Sequence, residues 1–211
     1  MRPIIKSPEP ATLSAYRQTR GASFDGLPSP AKQDLKEQLL LEQGHLCAYC
    51  MSRIKPENMK VEHWHCQKKH PGDQLSYSNL LACCAGGEGG PPRTQHCDTL
   101  KGDADLTFNP ADPSHHGRLK MRFPGDGLVR SDDPVFDQQL NQVLNLNLPE
   151  LVNNRRAVAD AVREVLRDRP GSRTKAELDR LVRRWEQRDS QGKLPAYCEV
   201  ALYHLRKHAN Y

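Results

Sequence analysis

Residues 47–102 contain four short segments: CAYC at 47–50, VEHW at 61–64, SNLLACC at 78–84 and CDTLKG at 97–102. Cys47 and Cys50 form a C-x-x-C pair, and Cys83, Cys84 and Cys97 follow downstream. In a reducing compartment such spacing favours metal binding over disulfide formation. Since Zn²⁺ prefers four sulfur or nitrogen ligands in a tetrahedron, these cysteines predict a zinc clamp.

The second half of this clamp leaves a choice of ligand. Cys83 and Cys84 are adjacent, so their side chains point in different directions and we expect only one of them to join Cys97. Cys66 and Cys198 stand alone in the sequence. We expect each of these two to be an ordinary buried or half-buried thiol.

An acid–histidine pair, Glu62-His63, lies between the two halves of the clamp, after a short stretch from Met59 to Val61 that suits a strand. Neighbours on a strand point to opposite sides, but a following loop lets both side chains converge on one metal-bound phosphate. Glu62 is a hard oxygen ligand suited to Mg²⁺ or Mn²⁺. His63 titrates near neutral pH, which suits a general base.

Composition divides the chain into four regions. Residues 1–30 are rich in Pro, Ser and Gly without periodicity and predict an extended arm, whereas residues 31–105 contain the clamp. Residues 106–148 predict a loop-rich connection with a short hairpin around Gly125 to Gly127. Residues 149–211 predict a basic helical region.

Helix boundaries follow from short signals. Ser29-Pro30 is typical of a helix start, with the serine as cap, and Gly44 is typical of its end. Three more helices are predicted in the last region: one from Pro149 to the break at Pro170-Gly171, one from Thr174 to Gln187, and one from about Ala196 to Lys207.

The net charge of +5 is concentrated in the last region. Residues 150–211 contain 14 Lys or Arg and 9 Asp or Glu, whereas residues 1–149 contain 17 of each. A basic half is a weak indication of nucleic-acid binding, and a solvated helical face is the alternative. The sequence has no run of about 18 apolar residues and no signal-peptide pattern, so we expect a cytoplasmic protein without a membrane span.

The order C-x-x-C, acid-His, Asn-Leu, Cys, and finally Cys-x-x-x-Lys-Gly resembles the HNH endonuclease family, and residues 47–102 carry this resemblance directly. It implies an α+β protein with a zinc-clamped ββα-metal core, here joined to an N-terminal arm and helix and a C-terminal helical region. It also implies a metal-dependent nuclease that hydrolyses the phosphodiester bonds of nucleic acid.

Individual roles follow from the same resemblance. Glu62 matches the family's first catalytic metal ligand, His63 its general base, and Asn79 the residue that braces the loop holding the base. Cys84 lies five residues after Asn79, at the family's zinc position, which favours it over Cys83. The implied structural zinc ligands are therefore Cys47, Cys50, Cys84 and Cys97.

Two features depart from the family pattern. Asp98 stands where the family usually has Asn or His; we expect it to bind the catalytic Mg²⁺ or Mn²⁺ with Glu62, and His96 is its rival. Residues 85–96 separate the last two clamp cysteines, where the family usually has two residues, and this insert predicts a flexible loop. Lys101 is expected either to contact nucleic acid or to be solvated.

Further stretches, at residues 1–6, 80–90, 108–113 and 140–147, are similar to the PtuB-type HNH subunit of Septu anti-phage systems, relatives of which accompany some retrons. That similarity implies an ATPase partner of the ABC/SMC type, and it leaves open a homodimer within the complex. The alternatives are a stand-alone HNH restriction-type endonuclease, which would cut without a partner, and a catalytically inactive zinc-binding adaptor. The sequence leaves open whether the substrate is DNA or RNA.

Overall fold

A computed structural model describes residues 1–168 and 173–208. The helices of these residues are α1 Ala11–Arg17, α2 Ser29–Gln43, α3 Cys97–Lys101, α4 Pro113–His116, α5 Pro134–Gln142, α6 Pro149–Arg167, α7 Lys175–Glu186 and α8 Cys198–His208. The strands form two antiparallel pairs: β1 Met59–His63 with β2 Leu80–Cys84, and β3 Met121–Arg122 with β4 Arg130–Ser131. The architecture is therefore a mixture of helices and two small sheets.

The first sheet supports the central part of the chain. β1 and β2 pair with Met59 opposite Cys84 and His63 opposite Leu80. The outer edge of β2 is also satisfied, because the side chain of Gln43 on α2 donates to the carbonyl of Ala82 at 2.8 Å and accepts its N–H at 2.7 Å. With this edge covered, β2 can be almost entirely apolar and buried.

The start of α2 differs from the sequence prediction by one residue. Ser29 is the first helical residue and does not cap the helix; Pro28 takes the N-cap position, without a side-chain hydrogen bond to the first turn. The predicted end is confirmed. Gly44 adopts a left-handed conformation with φ 64°, and its N–H satisfies carbonyls of the last turn.

The segment 1–30 is not an extended arm throughout, because residues 11–17 form α1. Leu13 on this helix is fully buried, and Ile4 is also buried, with its N–H donating to the carbonyl of Pro110 at 2.8 Å. Ile5, in contrast, is 81% exposed. Most apolar residues of this segment therefore lie against the core. The sequence shows no helical spacing of apolar residues here because α1 is only two turns long.

Residues 106–148 contain the predicted hairpin and two helices that were not predicted, the four-residue α4 and the longer α5. β3 and β4 enclose the turn at residues 125–127. Helix α5 begins after Asp133, whose carboxylate accepts the N–H of Phe136 at 2.9 Å. Phe136 and Leu140, one turn apart, are both buried. Asp133 as a cap, followed by the apolar pair Phe136 and Leu140, could therefore have predicted α5 from the sequence.

The three predicted C-terminal helices are confirmed as α6, α7 and α8. Thr174 caps α7 in a reciprocal box with Glu177. The break predicted at Pro170-Gly171 lies outside the described residues. Every helix within residues 1–168 and 173–208 is too short or too polar to cross a membrane.

The C-terminal region packs directly on the C-x-x-C segment. Tyr197 donates its N–H to the carbonyl of Met51 at 3.1 Å, and Leu194 donates to the carbonyl of Gly44 at 3.1 Å. Leu194 and Cys198 also bury Leu46, the residue before the first clamp cysteine. The C-terminal helices therefore support the position of this segment.

Arg155 on α6 joins the hairpin to the segment between α5 and α6. Its side chain is buried and donates to the carbonyl of Gly127 at 2.7 Å, to the carbonyl of Leu146 at 2.8 Å, and to Oδ1 of Asn147 at 3.1 Å. Two buried carbonyls thus depend on one buried guanidinium, whereas Oδ1 of Asn147 also accepts the N–H of Val129 at 2.8 Å. Such groups lose their water on folding and need the protein donor.

We predict that Arg155→Leu lowers the free energy of unfolding by about 3 kcal/mol, because it leaves the buried carbonyls of Gly127 and Leu146 without this donor. The measurement is urea denaturation followed by circular dichroism. Arg156→Leu is the matched control, since that side chain is exposed and contacts the carbonyl of Asp126 at the surface. Equal effects of the two substitutions would contradict this account of the buried network.

Candidate active site

Four cysteines from three separate segments meet in one group, the cysteine cluster: Cys47, Cys50, Cys84 and Cys97. The sulfurs of Cys47 and Cys97 lie 3.8 Å apart, as do those of Cys50 and Cys84. This separation excludes disulfides, which need about 2.05 Å. It matches the edge of a tetrahedron of sulfurs at about 2.3 Å from a central ion, which is roughly 3.8 Å. The cluster could therefore hold a metal ion.

Backbone turns bring these sulfurs together. Met51, with φ 65°, donates to the carbonyl of Cys47 at 3.0 Å and folds the C-x-x-C segment into a tight turn. Cys84 is the last residue of β2. Cys97 is the first residue of α3, and its N–H donates to the carbonyl of Leu144 at 2.9 Å. The cluster therefore ties a turn, a strand and a helix together.

The structure also separates the adjacent cysteines 83 and 84. Only Cys84 belongs to the group of four, whereas Cys83 is fully buried next to it, with its thiol beside Cys47. Strand alternation explains this result, because consecutive side chains of β2 leave opposite faces of the sheet. Cys66 and Cys198 are buried free thiols outside the cluster, as predicted.

The insert at residues 85–96 folds back on itself so that Cys97 can rejoin Cys84. Gly86, with φ 57°, approaches His96 so closely that a Cβ there would lie 2.1 Å from the His96 carbonyl oxygen. The N–H of His96 donates to the carbonyl of Gly86 at 2.9 Å, and Asn145 holds the carbonyl of Gln95 at 2.9 Å. The segment predicted to be a flexible loop is thus anchored at its base.

Glu62 is buried in a polar network beside the cluster. One of its carboxylate oxygens accepts hydrogen bonds from the hydroxyl of Tyr49 and from Nζ of Lys101, both at 2.8 Å. Burial raises the pKa of Glu62 well above its usual range, and the neighbouring carboxyl of Asp98 raises it further, whereas Lys101 opposes both effects. Two carboxyl groups placed together in this way favour a cation between them.

Lys101 does not occupy the surface position that the sequence analysis assumed. Its side chain is fully buried, and besides pairing with Glu62 it donates to the carbonyl of His63 at 3.2 Å. Neither a nucleic-acid contact nor a solvated lysine fits this burial. The reason is electrostatic, since the buried Glu62 carboxylate needs a compensating positive charge.

His63 lies at the end of β1 with its imidazole largely buried against the edge of the Phe24 ring, 4.4 Å between centroids. Its Nε2 is 2.9 Å from the carbonyl oxygen of Gln74. Because a carbonyl only accepts, Nε2 carries the hydrogen and Nδ1 keeps its lone pair. Burial lowers the pKa of His63, an effect that the Gln74 contact partly opposes. The ring is therefore neutral at neutral pH.

Asn79 is a buried amide that organises the loop after β1. Its Oδ1 accepts the N–H of His65 at 2.7 Å, and its Nδ2 donates to the carbonyls of His65 and Asp73 at 3.0 and 3.1 Å. Its own carbonyl accepts the N–H of Trp64 at 3.0 Å. These contacts immobilise the loop that begins directly after His63.

The two rivals for the second metal ligand occupy different places. Asp98 neighbours Glu62 and forms an ion pair with Lys60 at 3.2 Å. His96 instead directs Nδ1 toward the sulfurs, 3.2 Å from Cys97 and 3.9 Å from Cys84. The geometry therefore groups Asp98, but not His96, with Glu62.

Two contributors to this site were not found by sequence reasoning. Tyr49 lies inside the C-x-x-C segment, where an aromatic residue is expected to serve packing. In the structure its hydroxyl also donates to Glu62. Gln74 contacts His63 through its backbone carbonyl, which every residue has, so the sequence could not indicate this contact. Both contacts join residues that are more than ten positions apart in the chain.

One of two comparisons with known proteins finds a relative. No family model matches the chain. The chain is 26% identical over 168 residues to a protein of Vibrio cholerae serotype O1 biovar El Tor named "Retron Vc95 putative HNH endonuclease". The alignment covers 72% of this chain and 78% of that protein. This distant similarity supports a relationship to HNH proteins.

We predict that Cys84→Ala removes the metal ion from purified protein, because three sulfurs cannot close the tetrahedron. Metal content measured by mass spectrometry should fall from about one ion at the cluster to almost none. Cys83→Ala is the matched control and should retain the ion, since its buried thiol lies outside the cluster. The opposite result would assign the ligand to Cys83.

Proposed function

We propose that this protein is an HNH-type nuclease with a ββα-metal core that hydrolyses phosphodiester bonds in nucleic acid. The observation that carries the proposal is the placement of Glu62, Asp98 and His63 around the end of β1, beside the cysteine cluster. The similarity to the retron relative supports the same function. An adaptor without activity would have no need of this arrangement.

The cysteine cluster is proposed to hold a structural Zn²⁺ ion. Four thiolates at tetrahedral spacing are a donor set that Zn²⁺ prefers, and a fully occupied set leaves no position for substrate. The ion would therefore stabilise the fold without taking part in the reaction. Its stabilisation is important because the two strands and the five-residue α3 form only a small core of their own.

Glu62 and Asp98 are proposed to hold the catalytic Mg²⁺ or Mn²⁺. Both supply carboxylate oxygens, the donors that these hard cations prefer, and their proximity raises the pKa of Glu62. His96 is a less suitable second ligand because it lies against the cluster sulfurs. When bound, such a cation stabilises negative charge on the phosphate and on the leaving oxygen.

His63 is proposed to act as general base through Nδ1. The nitrogen would take a proton from a water molecule, and the resulting hydroxide would attack phosphorus in line with the P–O bond to the 3′ oxygen. That bond breaks, and the 3′ oxygen takes a proton from solvent water, so the products are a 5′-phosphate and a 3′ hydroxyl. The Gln74 carbonyl fixes the required tautomer, and burial keeps the ring unprotonated at neutral pH. Asn79 holds the loop behind the base, so it acts as a positioning residue.

The nuclease is further proposed to be the effector subunit of a bacterial anti-phage complex with an ATPase of the ABC/SMC type. The resemblance to Septu-type HNH subunits and the retron name of the relative support this role. A groove of about 420 Å³ between the N-terminal segment and the end of α2 supports a docking surface. It presents Ile5, 81% exposed, and Leu41, 50% exposed, beside Arg2 and Arg188.

The structure restricts how this contact can be tested. Deletion of residues 1–8 would remove Met1 and Ile4 from the core, and truncation after residue 147 would remove Leu194 and Tyr197 from the C-x-x-C segment. Both deletions would therefore disturb the fold as well as any docking surface. A surface point variant is the cleaner test.

We predict that His63→Ala reduces nuclease activity of the partner-bound protein by about 10²–10⁴-fold, because the attacking water loses its base. Cleavage of labelled DNA and RNA with Mg²⁺ or Mn²⁺ provides the measurement. His208→Gln, on an exposed histidine in the last turn of α8, is the control and should leave activity unchanged.

The same assay distinguishes the metal ligands. Asp98→Asn should raise the Mn²⁺ concentration needed for half-maximal cleavage, whereas His96→Gln should change it little. If the two variants behave in the reverse way, the second ligand is His96. Full activity of His63→Ala would reject the proposed base.

We predict that Ile5→Asp weakens binding of the ATPase by at least tenfold, because a charge would have to be buried in an apolar contact. Affinity is measured by calorimetry or surface plasmon resonance, with Val135→Asp as control, because Val135 on α5 is also exposed, at 58%, and lies outside the groove. Strong cleavage of plasmid, single-stranded DNA or RNA by the isolated chain would instead favour the stand-alone restriction-type enzyme.

A further inference from the structure

A second group of ligand atoms lies outside the site described above. His65, His70 and Asp73 each place one donor atom within 4.8 Å of the others. Nδ1 of His65 is 2.9 Å from a carboxylate oxygen of Asp73, and the rings of His65 and His70 stack with centroids 4.5 Å apart. All three side chains are half-buried, so solvent can reach the space between them.

We propose that His65, His70 and Asp73 form a binding site for a divalent transition-metal ion, which we call the loop metal site. Two imidazole nitrogens and one carboxylate oxygen are a borderline donor set that suits Zn²⁺, Co²⁺ and similar ions better than Mg²⁺. The cysteine cluster closes its tetrahedron with four protein ligands. The loop metal site supplies three and leaves one position for water.

The backbone that carries these ligands is already held in place. The amide of Asn79 bonds to both backbone groups of His65 and to the carbonyl of Asp73, and it is itself buried. The N–H of Asp73 donates to the carbonyl of His70 at 3.0 Å, which closes the turn between them. Three ligands on one braced loop need only side-chain rotation to converge on an ion, so little ordering cost opposes binding.

The local charge is compatible with a dication. Asp105 approaches from outside the loop, with a carboxylate oxygen 3.9 Å from Nε2 of His70. It therefore adds a second negative charge to that of Asp73, although Lys69 pairs with Asp105 at 3.1 Å and offsets part of it. Two carboxylates close to this ligand set attract a divalent cation more strongly than a monovalent one.

Occupation of the loop metal site would also affect the proposed base. Asp73 directly precedes Gln74, whose carbonyl accepts the hydrogen of His63 Nε2. An ion bound to Asp73 would therefore restrain the carbonyl that sets the tautomer of His63. The binding of the ion does not depend on the proposed nuclease function; only this consequence rests on it.

The test counts metal ions on the full chain. Protein whose cysteine cluster is saturated with Zn²⁺ is titrated with Co²⁺ by calorimetry, and bound metal is counted by mass spectrometry after dialysis. An Asp98→Asn background weakens the Glu62–Asp98 pair as a competing site. We expect this background protein to bind one further Co²⁺, and we expect His70→Gln and Asp73→Asn to weaken that binding at least tenfold.

Controls separate a lost ligand from a lost fold. Each variant should keep the zinc of its cysteine cluster and its circular dichroism spectrum, and His208→Gln should bind cobalt like the background protein. The bound Co²⁺ should show visible bands without the thiolate charge-transfer absorption that cobalt at cysteine sulfurs produces. Failure of the background protein to bind a further ion, or binding that survives both His70→Gln and Asp73→Asn, overturns the proposal. Neither result depends on nuclease activity.

Discussion

The meeting of four sulfurs brings together the helix and the sheet that carry Glu62, Asp98 and Lys101. Cys97 is both a member of the cluster and the first residue of α3, so its position fixes the helix that carries Asp98 and Lys101. Cys84, at the end of β2, fixes the sheet that carries Glu62. Without the cluster, a helix of five residues could not hold its place against two short strands, because such elements bury too little apolar surface to be stable alone.

Next to the cluster, a buried carboxylate imposes the second constraint. Glu62 is almost fully withdrawn from water, which is costly for a charged group unless partners replace the lost hydration. Tyr49 and Lys101 replace part of it on one oxygen, while Asp98 crowds the same region with another negative charge. Two carboxylates with only one lysine between them leave an excess of negative charge, which suits a site where a cation binds. The same negative charge explains why Lys101 is buried rather than exposed.

Asn79 connects the two halves of the functional region. It holds the backbone of the loop that starts immediately after His63, and the same amide fixes two of the three residues of the loop metal site. One buried side chain thus restrains the proposed base on one side and two residues of the proposed loop metal site on the other. Since every polar atom of this amide is used, a change there would affect both sites together.

Much of the local structure was determined by the sequence alone. The C-x-x-C turn, the end of α2 at Gly44, the cap of α7 at Thr174 and the hairpin around residues 125–127 depend on interactions within a few positions of each other. Such contacts form in the same way wherever the segment lies, so residue type and spacing are enough to predict them. The central pattern of cysteines, acid and histidine was readable for a different reason: its residue types and their order resemble those of HNH proteins, although the cysteines that meet lie up to 50 positions apart.

Other features were decided only by the tertiary structure. Burial of Lys101, the division between a buried Ile4 and an exposed Ile5, and the grouping of Asp98 rather than His96 with Glu62 all depend on residues distant in the chain. Burial and pairing of charges are properties of the whole packed molecule, because the cost of removing a group from water depends on what surrounds it after folding. No local pattern contains that information.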